Sequence, residues 1–84
     1  MTVTIYSKPG CNPCRLTKRQ FDKYGLEYQD IDISQDPSAY EIVKQLGYQQ
    51  VPVVRVFDGD EVVMEWSGFN GENVKALALN EPAE

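Results

Sequence analysis

The sequence predicts an α/β domain with the element order β-α-β-α-β-β-α, a four-stranded mixed sheet flanked by three helices. Three observations carry that prediction. Two stretches of helical periodicity, Arg15–Tyr24 and Pro37–Leu46, each run into a glycine and alternate with β-rich segments, the pattern of a parallel βαβ unit. Residues 51–66 hold two β-rich runs separated at Asp58-Gly59, a tight hairpin signal. Cys11 and Cys14, the two cysteines of the chain, stand at the junction of the first strand and the first helix.

Taken in order, Val3 to Tyr6 alternates as a strand and leads into a Lys8-Pro9-Gly10 turn. Cys14, Thr17, Phe21 and Tyr24 then recur at i, i+3, i+7 and i+10, one inward helix face, with Arg15, Lys18, Arg19 and Asp22 pointing elsewhere. Pro13 is tolerated in the first turn, where its missing N–H has no helical partner, and Gly25 caps the end. Leu26 to Ile33 reads as the second strand through Tyr28, Ile31 and Ile33. Asp36 is placed to N-cap the next helix with Pro37 at its first position; Ala39, Val43 and Leu46, with Tyr40 and Ile42 beside them, form its apolar stripe up to Gly47. Val51–Phe57, with Pro52 at its head, is the third strand and Glu61–Trp66 the fourth. After a Ser67-Gly68-Phe69 loop, Asn70 caps a last helix on Val74, Leu77 and Ala78, followed by a short tail around Pro82.

At 84 residues the chain is read as one domain, 1–84, with the 42% hydrophobic and 25% charged fractions of a globular protein. MTVTIYSKPG has no basic region followed by an apolar core, and no apolar run reaches membrane-spanning length, so neither export nor a membrane is expected. A secreted domain of this size would carry several disulfides; a single pair points to the reducing cytoplasm. The net charge of −5 argues against nucleic acid as a partner. It is unevenly spread. Residues 1–25 carry five basic residues against Asp22, net +4, and the rest three basic against twelve acidic, net −9. The positive charge therefore clusters on the segment with the cysteines, where it could lower a thiol pKa and attract an acidic partner. For Lys18, Arg19 and Lys23 an ordinary solvated helix face is an equal reading; Lys8 and Arg15 flank the motif itself.

A Cys-x-x-Cys between strand and helix reads as a redox pair. At the helix N-terminus the unpaired backbone N–H groups and the positive end of the dipole stabilise a thiolate, the nucleophile of disulfide exchange. The phasing puts Cys14 inward and Cys11 at the helix tip, which suits a protected resolving thiol and an attacking one. A zinc site needs four ligands, and the chain has no further cysteine and no histidine. A purely structural disulfide closing so short a loop would restrict the unfolded chain little.

Topology and motif together describe the thioredoxin fold. Tyr6-Ser7-Lys8-Pro9-Gly10-Cys11 resembles the opening of glutaredoxins, and Val51-Pro52 resembles the cis-proline segment that glutaredoxins and thioredoxins share. Thr17-Lys18-Arg19, Asp32-Ile33-Ser34, Leu46-Gly47-Tyr48, Val51-Pro52-Val53-Val54 and above all Trp66-Ser67-Gly68-Phe69 resemble the NrdH-type redoxins, over nearly the whole chain. That resemblance implies a thiol–disulfide oxidoreductase with no bound cofactor or metal, working through a redox-active Cys11–Cys14 disulfide. Electrons would come from NADPH through thioredoxin reductase and pass to the large subunit of a class Ib ribonucleotide reductase. It further implies Cys11 as nucleophile, Cys14 as resolving thiol, Pro52 after Val51 as the cis-proline ledge, and a monomer. The partner surface would comprise Lys8, Asn12, Pro13, Val51, Pro52, Trp66, Ser67, Gly68 and Phe69. Two positions depart from the family: Asn70-Gly71 replaces the usual Arg-Pro, and Asn12-Pro13 is closer to the Gly-Pro of thioredoxins. Competing readings are a glutathione-dependent glutaredoxin, a glutathione-ligated iron–sulfur carrier of the same fold, and an interaction module with incidental cysteines.

Overall fold

A computed structural model describes residues 1–80; the tail expected around Pro82 lies outside the described residues. The elements are β1 (Thr2–Ser7), α1 (Asn12–Lys23), β2 (Gln29–Asp32), α2 (Pro37–Gln45), β3 (Val53–Asp58), β4 (Glu61–Ser67) and α3 (Gly71–Asn80), in the expected order. The sheet runs β2-β1-β3-β4. β1 pairs parallel with β2 and antiparallel with β3, and β3 pairs antiparallel with β4, giving the mixed sheet of the thioredoxin fold.

The pleat sorts the core into two clusters, because alternate strand residues face opposite sides. Val3 and Ile5 of β1, Val54 and Val56 of β3, and Trp66 of β4 join Phe21 of α1 and Val74 and Leu77 of α3 on one face. Tyr6 and Val53 join Ala39 and Val43 of α2 on the other, with Ile31, Ile33 and Tyr48 packed alongside. Phe21 and Tyr28 meet edge to face at 5.5 Å between ring centroids.

Both crossover helices end by the same chemistry. Gly25 and Gly47 take positive φ, 68° and 88°. The following residues then donate backbone bonds back into the last turn: Leu26 N–H to the Phe21 carbonyl at 2.9 Å, and Tyr48 N–H to the Val43 carbonyl at 3.4 Å. This is the Schellman arrangement, including its apolar contact, since Leu26 packs on the Phe21 cluster and Tyr48 on the Val43 cluster. At the other ends Asp36 accepts from Ala39 N–H at 3.1 Å and Asn70 from Asn73 N–H at 3.0 Å, so both expected caps are in place.

Several boundaries differ from expectation for physical reasons. β2 covers only Gln29–Asp32 of the expected Leu26–Ile33, because Leu26 is occupied in closing α1 and Tyr28 turns into the core. β3 begins at Val53, after Val51-Pro52; proline has no N–H for the ladder. The hairpin turns on Gly59-Asp60 between the paired Asp58 and Glu61, one residue later than Asp58-Gly59, and a bulge past Val56 leaves Val63 exposed. Tyr24 is not on the inward face of α1: it is the C-cap residue and 37% exposed, with Lys23 Nζ lying 5.7 Å from its ring centroid. Tyr40 and Ile42 of α2 are exposed as well.

Candidate active site

Cys11 is the N-cap of α1, and Cys14 lies one turn in, 5.3 Å away between Cα atoms and joined to it as a disulfide. The Cys14 backbone N–H donates to Cys11 Sγ at 3.2 Å. A sulfur that accepts an otherwise unpaired helix N–H is stabilised most when it carries charge. Cys14 is 1% exposed, whereas Cys11 is half-buried and reachable. Thr17, one turn below, is fully buried and satisfies its hydroxyl by donating to the Pro13 carbonyl at 2.8 Å.

The second wall is the Val51-Pro52 segment, joined by a cis peptide bond. Val51's carbonyl oxygen lies 3.6 Å from Cys11 Sγ, placed to accept from a reduced Cys11 thiol. Two bonds from the end of β4 hold this segment: Ser67 Oγ donates to the Gln50 carbonyl at 2.9 Å, and Gly68 N–H donates to the Pro52 carbonyl at 2.8 Å. The Trp66-Ser67-Gly68-Phe69 block is thereby divided. Trp66 is only 7% exposed and belongs to the core, so of the two aromatics assigned to the partner surface Phe69 is the one presented to solvent, at 45% exposure. The indole N–H of Trp66 is buried with no acceptor among the described residues, and nothing in the structure explains it.

Two grooves flank the disulfide. One, of about 390 Å³, runs along α1 past Lys8, Cys11, Asn12, Arg15, Lys18 and Arg19. The other, of about 310 Å³, lies between α2 and the Val51 segment, with Tyr40, Val43, Tyr48 and Gln50 in its walls. Lys8 borders both. The cations of the first groove are not equivalent. Lys18 Nζ pairs with Asp30 Oδ2 at 2.8 Å, while Ser7 Oγ, buried beneath, donates to Asp30 Oδ1 at 2.6 Å. Arg15 donates to the uncharged side-chain oxygen of Asn12 at 2.7 Å. The Ser7–Asp30–Lys18 cluster has no signature in residue spacing, because it exists only once β2 aligns Asp30 with Ile5 of β1.

Behind the second groove Tyr48 Oη donates to Glu65 Oε2 at 2.9 Å, and Arg55 Nε pairs with Glu65 Oε1 at 3.1 Å across β3 and β4. Burial pushes the Tyr48 phenol pKa up, the hydrogen bond and charge of Glu65 add to it, and Arg55 opposes. Among the described residues no group of three or more His, Cys, Asp or Glu side chains is gathered to hold a metal ion, and no helix is long and apolar enough to cross a membrane.

The Glutaredoxin family model matches residues 3–63 of the chain. The glutaredoxin-like protein NrdH of Salmonella typhimurium is 31% identical over 92% of this chain and 89% of its own length. The NrdH protein of Lactococcus lactis subsp. cremoris is 29% identical over 90% of this chain and 99% of its own. Among solved structures, the NrdH-redoxin of Escherichia coli, described as glutaredoxin-like with a thioredoxin-like activity profile, is similar with a TM-score of 0.85 at 32% identity, covering 100% of both chains.

Proposed function

The chain belongs to the glutaredoxin family and within it to the NrdH-type redoxins, and from that premise we propose that it reduces protein disulfides, taking electrons from NADPH through thioredoxin reductase and delivering them to the large subunit of a class Ib ribonucleotide reductase. The observation that supports it best is the asymmetry of the pair, with Cys11 accessible as helix N-cap and Cys14 shielded beneath it. In the reduced protein the Cys11 thiolate, held by the Cys14 N–H, attacks one sulfur of the client disulfide. A mixed disulfide forms, and the other client sulfur leaves as a thiolate that takes up a proton. Cys14, deprotonated in turn, attacks Cys11 Sγ; the Cys11–Cys14 disulfide forms and the second client thiol departs. Two electrons pass to the client, and reductase returns the pair to the dithiol. No bound cofactor or metal enters the cycle.

Val51 and Pro52 form the ledge on which an extended client strand lies, its backbone pairing with that of Val51. Phe69, beside Gly68, offers apolar surface that a protein can cover and a tripeptide such as glutathione cannot match. Lys8, Asn12 and Pro13 complete the rim, with Ser67 acting through Gln50 rather than by contact. The protein is read as a monomer of the reducing cytoplasm.

An NADPH-oxidation assay with thioredoxin reductase and an insulin-type disulfide tests this. Rapid NADPH consumption that depends on the redoxin is expected, with little turnover when millimolar glutathione and glutathione reductase replace the reductase. Efficient glutathione-coupled turnover would replace this reading with that of a glutathione-dependent glutaredoxin.

A further inference from the structure

We propose that the cationic wall of the α1 groove, formed by Lys8, Arg15 and Arg19, is a docking surface for acidic residues flanking the disulfide of the client polypeptide. The proposal rests on the disulfide-reductase reading above and names the chemistry of the client.

Charge and pairing carry it. The chain is acidic overall, at −5, yet its first 25 residues are net positive, and these three cations line the groove that leads away from the reactive sulfur. Lys18, the fourth cation of the groove, is already neutralised by Asp30 at 2.8 Å. Arg15 is held by a neutral amide oxygen, which fixes the guanidinium without cancelling its charge. Neither Lys8, Arg15 nor Arg19 makes an ion pair among the described residues, and Asp22 is the one carboxylate lining the groove. Arg15 and Arg19 are four apart on one helix, where like charges repel and mildly destabilise, so the pair gains when an anion lies against it.

Spacing then fixes the register. Arg15 and Arg19 lie four and eight residues beyond Cys11, about 6 and 12 Å along the helix axis. An extended client strand advances about 3.3 Å per residue and repeats its facing side every second residue. A client strand that leaves the attacked cysteine along the α1 groove therefore brings its second and fourth flanking side chains to Arg15 and Arg19. Glutathione has one residue on each side of its cysteine and so no second and fourth flanking side chains to set against Arg15 and Arg19, which assigns the wall to a longer peptide.

The test uses the full chain, prereduced and desalted, against three disulfide-bridged peptides in single turnover without any reductase. The peptides differ only at the second and fourth positions from the attacked cysteine, carrying Glu, Gln or Lys. At about 20 mM salt the rate constants are expected to fall in the order Glu, Gln, Lys by about three- to ten-fold overall. The spread should collapse near 0.5 M, where the screening length is only about 4 Å. Arg19→Glu should flatten the order, because Arg15 still favours Glu at the second position while the preference at the fourth is inverted, whereas Lys75→Glu, the same charge change on α3, should leave it intact. Equal rates for the three peptides at low salt, or equal effects of the two variants, overturn the docking surface while leaving the reductase reading standing. Failure to reduce any peptide overturns both.

Discussion

The two faces of the sheet are built to different depths. On one, α1 and α3 together cover a cluster containing Phe21, Trp66, Val74 and Leu77. On the other, the nine residues of α2 cover a smaller cluster of Tyr6, Ala39, Val43 and Val53, and Tyr40 and Ile42 are left exposed. The helix that carries the cysteines is anchored on the deeper face, while the shallower face supplies the wall of an open groove. Disulfide exchange needs Cys11 held at one place relative to Val51, and Phe21 anchors α1 for that purpose. The packing that anchors α1 and the α2 wall of the open groove thus lie on opposite sides of one sheet.

That division can be broken or sharpened by substitution. Phe21→Ala removes the largest fully buried side chain of the deeper face and should cost about 3–5 kcal/mol in denaturant unfolding. Val43→Ala on the α2 face removes two methylene equivalents and should cost about 2 kcal/mol. Equal losses would erase the contrast. Asp36→Ala deletes the N-cap of α2 and should lower stability by about 1 kcal/mol, with little change in the rate of disulfide reduction. A loss of rate matching that of a core variant would tie α2 to the chemistry.

The smallest effect is an alkaline one. Tyr28, packed on the deeper face, and Tyr48, on the shallower, both have raised pKa values, burial being the larger cause in each; Asp22 and Asp30 add for Tyr28, and Glu65 for Tyr48. A raised native pKa means that the folded state keeps its proton longer than the unfolded chain. The stabilisation is therefore complete below the ordinary phenol value of about 10 and is lost as pH rises through the native value. Unfolding free energies measured on either side of pH 10 should decline, and Tyr48→Phe and Tyr28→Phe should each remove part of the decline. An unchanged decline in both variants would assign it elsewhere.

Most of the fold was legible because its signals are local. Asp36, Asn70, Gly25 and Gly47 each act within one turn of their own position, and the Cys11–Cys14 spacing defines the motif whatever surrounds it. The cis Val51–Pro52 bond came from resemblance to related chains rather than from spacing. What stayed hidden depends on register between distant segments. Ser7 meets Asp30 only through the β1–β2 alignment, and Ser67 reaches Gln50 only after β4 returns alongside β3. The divergent fates of Trp66 and Phe69 have the same origin. Strand pairing sets Trp66 opposite Val54 in the core, and the chain leaves the sheet at Ser67 before Phe69, which is why one aromatic is buried and its neighbour is not.

The unequal roles of the two cysteines are tested most directly by trapping. Reduced Cys14→Ser protein, mixed with a disulfide client and quenched with acid, should accumulate a covalent adduct through Cys11, visible by intact-mass measurement and dispersed by dithiothreitol. Cys11→Ser protein, treated in the same way, should give none, because its remaining thiol is buried. An adduct through Cys14 in the Cys11→Ser protein, with none in Cys14→Ser, would contradict the account.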